Sequence, residues 1–308
     1  MVNASDLEQA QLIGLDWGSS SLRAMLIDAQ GLVLEMRASP QGASTLSGGA
    51  AGFSRVLDAL IDDWRVPGLP LLACGMVGSQ HGWREVPYAR CPANAATLAA
   101  GALSVDWRGL PLHLMPGLRC DTAAGVPDVM RGEETQILGA GVAQGCVILP
   151  GTHSKWAQVV DGEVRSFATH MTGEMFALLR QHSVLGRLMP AQAGEDPAAF
   201  AQGVLAARDQ GGLGLLHQLF AVRTLGLTGQ LPHASLADYL SGLLIGHEVR
   251  AGLASRQYDA PLVLIGEPAL CRRYGTALEQ FDSGPVPQLP NTAAAGLRDL
   301  ARLVPGVL

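Results

Sequence analysis

Residues 12–28, LIGLDWGSSSLRAMLID, decide how the rest of the chain is read. An apolar run ends at Asp16, a glycine and three serines follow, and strand-like alternation resumes over residues 22–28. A turn at Ala29-Gln30-Gly31 sends the chain back through residues 32–39, so the stretch predicts antiparallel strands joined by tight bends. Gly18 lets another group approach closely, and the amides and hydroxyls of Ser19, Ser20 and Ser21 suit phosphate oxygens. Asp16, at the strand end, suits a hydrated Mg2+ beside such phosphates. An ordinary polar hairpin bend capped by an acid accounts for the same residues, and on this stretch alone both readings stand.

A second copy of the pattern lies further along. Residues 146–150 are apolar and run into Gly151-Thr152-His153-Ser154-Lys155, followed by a strand-like segment, the turn Asp161-Gly162 and a further strand over residues 164–171. Set without gaps, GSSSLRAMLID from Gly18 and GTHSKWAQVVD from Gly151 share four identities in eleven positions, with Ser19 and Thr152 both hydroxylic. The common strand–loop–hairpin context makes duplication the better explanation than chance. Duplication implies two similar domains, each opening on a β-hairpin.

Size and composition agree. The 308 residues exceed the usual span of one domain, and with 48% apolar residues two full cores can be built. A net charge of −6 with no basic run disfavours nucleic acid and anionic membrane as partners. Of the 21 cationic residues only Lys155 is a lysine, which draws attention to it. Five scattered cysteines, without a C-x-x-C pair, fit reduced thiols and a cytoplasmic protein rather than a disulfide frame or a zinc site. The N-terminus lacks a secretory pattern, and no apolar run reaches bilayer length.

Between and beyond the hairpins the pattern alternates. Phe53, Val56, Leu57, Leu60, Ile61 and Trp64 mark one helical face, and residues 69–74 read as a buried strand that delivers Met76-Val77-Gly78-Ser79. A loop at that strand end is where α/β ligand sites sit. Residues 83–92 form a second, aromatic-bearing loop, residues 93–103 read as helical and residues 110–115 as a strand. In residues 126–141, VPDVMRGEETQILGAG, Asp128, Arg131, Glu133 and Glu134 crowd a helix start. Dipole and cap chemistry explains one acid there more easily than the whole group, given a destabilising glycine in the first turn. The second half is mainly helical, over residues 172–188, 197–208, 214–223 and 235–256, with Gly242 and Gly246 spaced for close helix packing. Residues 261–265 read as a buried strand released into Gly266-Glu267-Pro268, and residues 292–303 as a final helix.

Three separated segments now resemble the actin-like sugar kinases. Residues 14–19 match the first phosphate loop of that superfamily, residues 151–155 the second, and Val263-Leu264-Ile265-Gly266 the adenosine-binding segment. GMVGSQHGW (75–83), VMRGEETQILGA (129–140), LPGTHSKW (149–156), MTGE (171–174) and LSGLLIGHEV (240–249) resemble the 2-dehydro-3-deoxygalactonokinase family, and the resemblance spans residues 12 to about 296. It implies an α/β protein of two ribonuclease-H-like, actin-like ATPase domains related by duplication, with a cleft between them. The expected division is residues 1–144 and 145–308, with the last helix a candidate to return to the first domain. It also implies ATP-dependent phosphorylation of the C6 hydroxyl of 2-dehydro-3-deoxy-D-galactonate in galactonate catabolism, with ATP and Mg2+ as cofactors. The partner would be a small sugar acid, with no nucleic acid and no membrane, and a homo-oligomer stays open.

Under that resemblance the residues take roles. Gly18, Ser19, Ser20, Gly151, Thr152, His153, Ser154, Lys155 and Gly266 would hold the nucleotide, and Asp16 its metal. Lys155 is either a phosphate-binding cation or an exposed charge, and His153 a loop donor or a satisfied loop histidine. A carboxylate at a helix start suits a base for the sugar hydroxyl, and Glu134 is preferred over Glu133, with Asp128 third. The substrate carboxylate wants an arginine, which points to Arg131, with Met76, Val77, Gly78, Ser79, Trp83 and Tyr88 completing the pocket. Core packing competes for Trp83 and Tyr88. A kinase for a related 2-keto-3-deoxy sugar acid, a phosphohydrolase of the same fold, and an actin-like assembler or sugar-sensing regulator are the competing functions.

Overall fold

The computed structural model describes residues 4–121, 125–256 and 260–308. In chain order the elements are α1 (Ala4–Gln9), β1 (Ala10–Trp17), β2 (Leu22–Asp28), β3 (Val33–Ser39), α2 (Ala50–Ile61), β4 (Leu71–Gly75), β5 (Ala89–Arg90), α3 (Ala95–Ala100), β6 (Leu103–Trp107), β7 (Leu110–Leu114), β8 (Leu118–Asp121), β9 (Pro127–Met130) and α4 (Glu133–Gly139). There follow β10 (Gln144–Leu149), β11 (Ser154–Val160), β12 (Glu163–His170), α5 (Thr172–His182), α6 (Pro197–Gln210), α7 (Leu215–Leu227), α8 (Leu236–Ser255), β13 (Leu262–Ile265), α9 (Pro268–Glu279), β14 (Gln288–Leu289) and α10 (Ala293–Ala301). Two compact units result. The first holds residues 1–144, 158–167 and 291–308, and the second residues 145–157 and 168–290.

In the first unit the sheet order is β3-β2-β1-β4-β7-β6. β1 and β2 are antiparallel, as are β2 and β3, while β4 runs parallel to both β1 and β7. Ile13, Leu15, Trp17, Leu22, Leu26, Phe53, Leu57 and Trp64 are fully or almost fully buried in one core, so the helical face marked by Phe53 to Trp64 does cover the sheet. Gly14 sits mid-strand because α10 packs on β1 there: an added Cβ would lie 3.0 Å from Leu297 Cδ1 and 2.7 Å from Ile27 Cδ1. A small sheet of β5, β8 and β9, which the sequence pattern does not announce, leads into α4.

A five-stranded sheet repeats the plan with the order β12-β11-β10-β13-β14, and β13 runs parallel to β10 and β14. Two consecutive hairpins followed by parallel strands is the same arrangement as β3-β2-β1-β4-β7, so each of the two large sheets has the ribonuclease-H-like plan and the fold is the duplicated, actin-like one. Trp156, Phe200, Val204, Val249, Leu264 and Tyr274 form its sheet-side core, and α5 to α8 close a second cluster around Val222, Leu236, Leu240 and Leu243. Gly242 and Gly246 lie at the crossing of α8 with α6, where a Cβ would meet Phe200 O at 2.0 Å and Ala207 Cβ at 2.7 Å. Among the described residues no helix is long and apolar enough to cross a membrane.

Candidate active site

The first bend is set by strand register. With Trp17 opposite Leu22 and Asp16 opposite Arg23, residues 18–21 form the connection, closed by a 2.9 Å hydrogen bond from Gly18 N–H to Ser21 O. Residues 42–44 support it from behind. Ala43 N–H donates to Gly18 O at 2.9 Å and Ser44 N–H to Ser19 O at 3.0 Å, and a Cβ on Gly42 would come within 2.2 Å of Ser19 O. The backbone is therefore fixed while Ser19, Ser20 and Ser21 stay exposed. Arg23 Nη2 donates to Asp16 Oδ2 at 2.9 Å and Asn291 Nδ2 to the same oxygen at 3.5 Å. Burial pushes the Asp16 carboxyl above its ordinary range despite both partners.

Nearby in the same unit, α4 begins at a glycine that no other residue could replace cheaply. Gly132 has φ +112°, a backbone conformation that residues with a Cβ rarely adopt, and it lies against Gly75. The two acids after it part company. Glu133 is half-buried and its Oε2 accepts from Arg131 N–H at 3.0 Å. Glu134 is 0% exposed. Its two oxygens accept from Gly132 N–H at 2.9 and 2.7 Å, and Oε1 also accepts from Thr135 Oγ1 at 3.2 Å. Burial first, and the neighbouring Glu133 second, raise the Glu134 carboxyl to about 8. Asp128, on β9, bonds the amide of its neighbour Val129 at 2.8 Å.

The loop after β4 and the aromatic loop converge on Arg131. Val77 and Gly78 are buried, Met76 and Ser79 half-buried. Trp83 stacks on Phe53 with ring centroids 5.9 Å apart and so belongs to the edge of the core. Tyr88 instead lies beneath the Arg131 guanidinium, 4.3 Å from ring to Cζ. Arg131 Nη2 donates to Val86 O at 2.7 Å, and Gly78 packs so close to Nη1 that a Cβ would lie 2.9 Å away. Arg131 is 8% exposed, and its Nε and Nη1 have no hydrogen-bond partner among the described residues. A buried guanidinium left partly unsatisfied is costly and is suited to an incoming anion.

In the second unit, residues 151–155 divide into an outer and an inner half. Thr152 and His153 are exposed, whereas Ser154 and Lys155 are buried. Lys155 Nζ donates to His153 O at 2.9 Å, which turns the ammonium toward the backbone of its own loop. The start of α5 braces the loop. His153 pairs with Glu174, Glu174 N–H donates to Thr152 O at 3.0 Å, and a Cβ on Gly173 would sit 2.5 Å from Gly151 O. Beside the loop opens a cavity of about 350 Å3, lined by Gly151, Thr172, Gly173, Ser241, Arg273 and Tyr274 among others. Such a volume lies in the range of small-ligand sites. Gly266 (φ +148°) ends β13 and releases α9, which supplies Leu270, Arg273 and Tyr274 to that cavity.

The sequence pattern misses Arg23, Asn291, Arg273 and Tyr274. Register makes Arg23 legible in principle, since a four-residue connection after Trp17 puts it opposite Asp16. Asn291 reads as an ordinary residue before a helix, and only the return of the chain end sets it beside Asp16.

The duplicated fold, with a glycine-led bend in each half, is that of the actin-like sugar-kinase class of protein. The model of the 2-keto-3-deoxy-galactonokinase family matches residues 16–300, and the chain belongs to that family. It is 36% identical to a 2-dehydro-3-deoxygalactonokinase of Escherichia coli (strain K12), covering 96% of this chain and 99% of that protein. It is 38% identical to a probable 2-dehydro-3-deoxygalactonokinase of Rhizobium meliloti (strain 1021), over 86% of this chain and 88% of the relative. A crystal structure of a Sinorhizobium meliloti protein assigned as a 2-dehydro-3-deoxygalactonokinase superposes with a TM-score of 0.86 at 35% identity, over 96% of this chain and 99% of that one. Component A of (R)-2-hydroxyglutaryl-CoA dehydratase from Acidaminococcus fermentans, at TM-score 0.50 and 12% identity, shares the fold alone.

Proposed function

We propose that the protein transfers the γ-phosphoryl group of ATP to the C6 hydroxyl of 2-dehydro-3-deoxy-D-galactonate, giving the 6-phosphate and ADP. The observation that carries this reading is membership of the family over residues 16–300, a span that includes both phosphate loops, the α4 start and the strand before α9. A phosphohydrolase of the same fold finds no comparable support.

Phosphoryl transfer is mostly positioning and charge neutralisation. In the first unit, Gly18, Ser19 and Ser20 offer amides and hydroxyls to phosphate, and Asp16 would hold Mg2+ through its water shell. A single carboxylate fits that ion, which keeps several waters and takes its remaining ligands from phosphates. Among the described residues there is no cluster of three or more His, Cys, Asp or Glu side chains suited to a metal, so no all-protein cage competes with Asp16. Bound there, Mg2+ would neutralise charge on the transferring group. In the second unit, Gly151, Thr152, His153 and Ser154 are the phosphate loop, Lys155 braces it from within, and the cavity beside it takes the nucleoside, with Gly266 shaping the turn into α9.

For the base, burial argues for Glu133 over the Glu134 that the sequence pattern favours. Glu134 is fully enclosed, bonded to Gly132 N–H and inclined to keep its proton at neutral pH, whereas Glu133 is half-buried. Glu133 takes the hydroxyl proton as the sugar oxygen bonds phosphorus and the bond to ADP breaks. The unpartnered N–H groups of Arg131, above Tyr88 and against Gly78, receive the substrate carboxylate, and the loop of Met76, Val77 and Ser79 flanks it, with Trp83 holding that loop to the core. A coupled ADP-release assay across a panel of sugar acids tests the reading. Turnover confined to 2-keto-3-deoxy acids, fastest with the galacto epimer, is expected. Nucleotide hydrolysis at the same rate without any sugar acid would overturn it.

A further inference from the structure

Behind the second phosphate loop runs a chain of buried polar groups that phosphate binding itself does not require. Gly151 N–H donates to Ser154 Oγ at 3.3 Å, and Ser154 Oγ lies 2.9 Å from Tyr274 Oη. Tyr274 Oη donates to Glu248 Oε2 at 2.6 Å, and the other oxygen, Oε1, accepts from Trp156 Nε1 at 2.9 Å. The Thr172 side chain bonds the same tyrosine hydroxyl. Ser154, Trp156, Tyr274 and Glu248 are all at most 3% exposed. Ser154 Oγ also lies 3.4 Å from Gly151 O, so the serine proton is shared between that carbonyl and Tyr274 Oη, while the tyrosine donates to the carboxyl group and the indole N–H closes its second oxygen. Burial and the neighbouring Glu248 hold the Tyr274 hydroxyl well above the usual phenol range, so it stays a donor at any working pH.

Placing a carboxyl group in a core is expensive unless both oxygens are satisfied, and here they are satisfied by side chains that reach the loop. Four elements meet at one hydroxyl: the loop through Ser154, the start of α5 through Thr172, α8 through Glu248 and α9 through Tyr274 itself. Tyr274 also lines the cavity of about 350 Å3 beside the loop. The first bend has no such device. There Gly18 N–H is satisfied by the backbone of Ser21, not by its side chain, and Ser21 is exposed.

We propose that Glu248 and Tyr274 are positioning residues for the second phosphate loop, fixing the Gly151–Ser154 turn and through it the grip on the donor nucleotide. The proposal rests on the reading of residues 151–155 as a nucleotide-phosphate loop. Its test is steady-state kinetics together with ADP calorimetry and thermal melts on the wild type, Tyr274→Phe, Ser154→Ala, the double variant and Glu248→Gln. Tyr274→Phe keeps the ring and removes only the hydroxyl, so it remains informative if Glu248→Gln fails to fold. Loss of one buried network bond predicts about a tenfold rise in the ADP Kd and in the nucleotide KM, with the sugar-acid KM unchanged to within about twofold. The double variant is expected to be no worse than the poorer single one, because both cut the same chain. A folded Tyr274→Phe with wild-type ADP affinity, effects that multiply in the double variant, or equal shifts in both KM values would overturn the proposal. Calorimetry separates its failure from that of the kinase reading. ADP binding weakened as expected in an enzyme that phosphorylates no sugar acid sinks only the substrate assignment, and a wild type that binds no nucleotide sinks both.

Discussion

The two glycine-led bends share four identities in eleven residues and the same place in their sheets, yet they are held in opposite ways. Around residues 18–21 the fixing is done by backbone: Ala43 and Ser44 donate to Gly18 and Ser19, Gly42 closes behind, and every serine side chain is left outside. The charge sits two residues before the turn, on Asp16, held by Arg23 and Asn291. Around residues 151–154 the fixing is done by buried side chains, with Ser154, Tyr274 and Glu248 inside and only Thr152 and His153 turned out. One copy thus carries an acid just ahead of a backbone-braced turn, and the other a turn braced by buried side chains. The proposed phosphate grip calls for amides that do not move, which the two bends secure by different means.

Substitutions can break that contrast. The largest effect is expected from Glu133→Gln, which removes the proposed base and should lower kcat about 10²–10⁴-fold with little change in nucleotide affinity. Glu134→Gln measured beside it decides between the two acids, since a greater loss there would restore Glu134 as the base. Asp16→Asn should cost about 10–100-fold in kcat and shift the Mg2+ requirement upward, while the equivalent position two residues before Gly151, Leu149, carries no charge to lose. Gly42→Ala and Gly173→Ala form a matched pair. Each puts a Cβ within 2.2 or 2.5 Å of a loop carbonyl, and overpacking of that kind costs about 1–3 kcal/mol. Gly42→Ala is expected to lower kcat, and Gly173→Ala to weaken ADP binding, each measured against its melting temperature.

The smallest expected effect is a dependence of stability on pH. Glu134 binds its proton more tightly folded than unfolded, with its carboxyl raised from 4.5 to about 8. The stabilisation is therefore complete below the unfolded value and is lost as pH rises through about 8. Asp16, raised by burial, acts in the same direction. Melting temperature should fall between pH 5 and pH 8.5, and Glu134→Gln should flatten the slope. A wild type whose Tm rises across that window would show that Glu134 is ionised at neutral pH.

Much of this was legible from local pattern. Both hairpins, the Phe53–Trp64 face, the strand before Gly266 and the close-packing glycines of α8 follow from periodicity and turn chemistry, which act over a few residues. Arg131 and the two glutamates stand out because a glycine and a cluster of charges at a helix start conflict with helix preference. The sheet of β5, β8 and β9 escaped notice because its strands span only two to four residues each. Lys155, unusual in composition, turns out to be inside, bonded to the carbonyl of His153, which no count of lysines could reveal.

By itself the sequence determined the duplicated plan, the two glycine-led bends and the family, since these rest on contiguous residues whose spacing is fixed by covalent chain geometry. Only the tertiary structure decided which acid is enclosed, which groups hold Asp16, and what stands behind Ser154. Those answers depend on pairings such as Asn291 with Asp16 and Tyr274 with Ser154, separated by 275 and 120 positions. Burial and hydrogen-bond partnership are properties of the packed chain, and desolvation, which sets the character of Glu134, does not exist until the chain has packed.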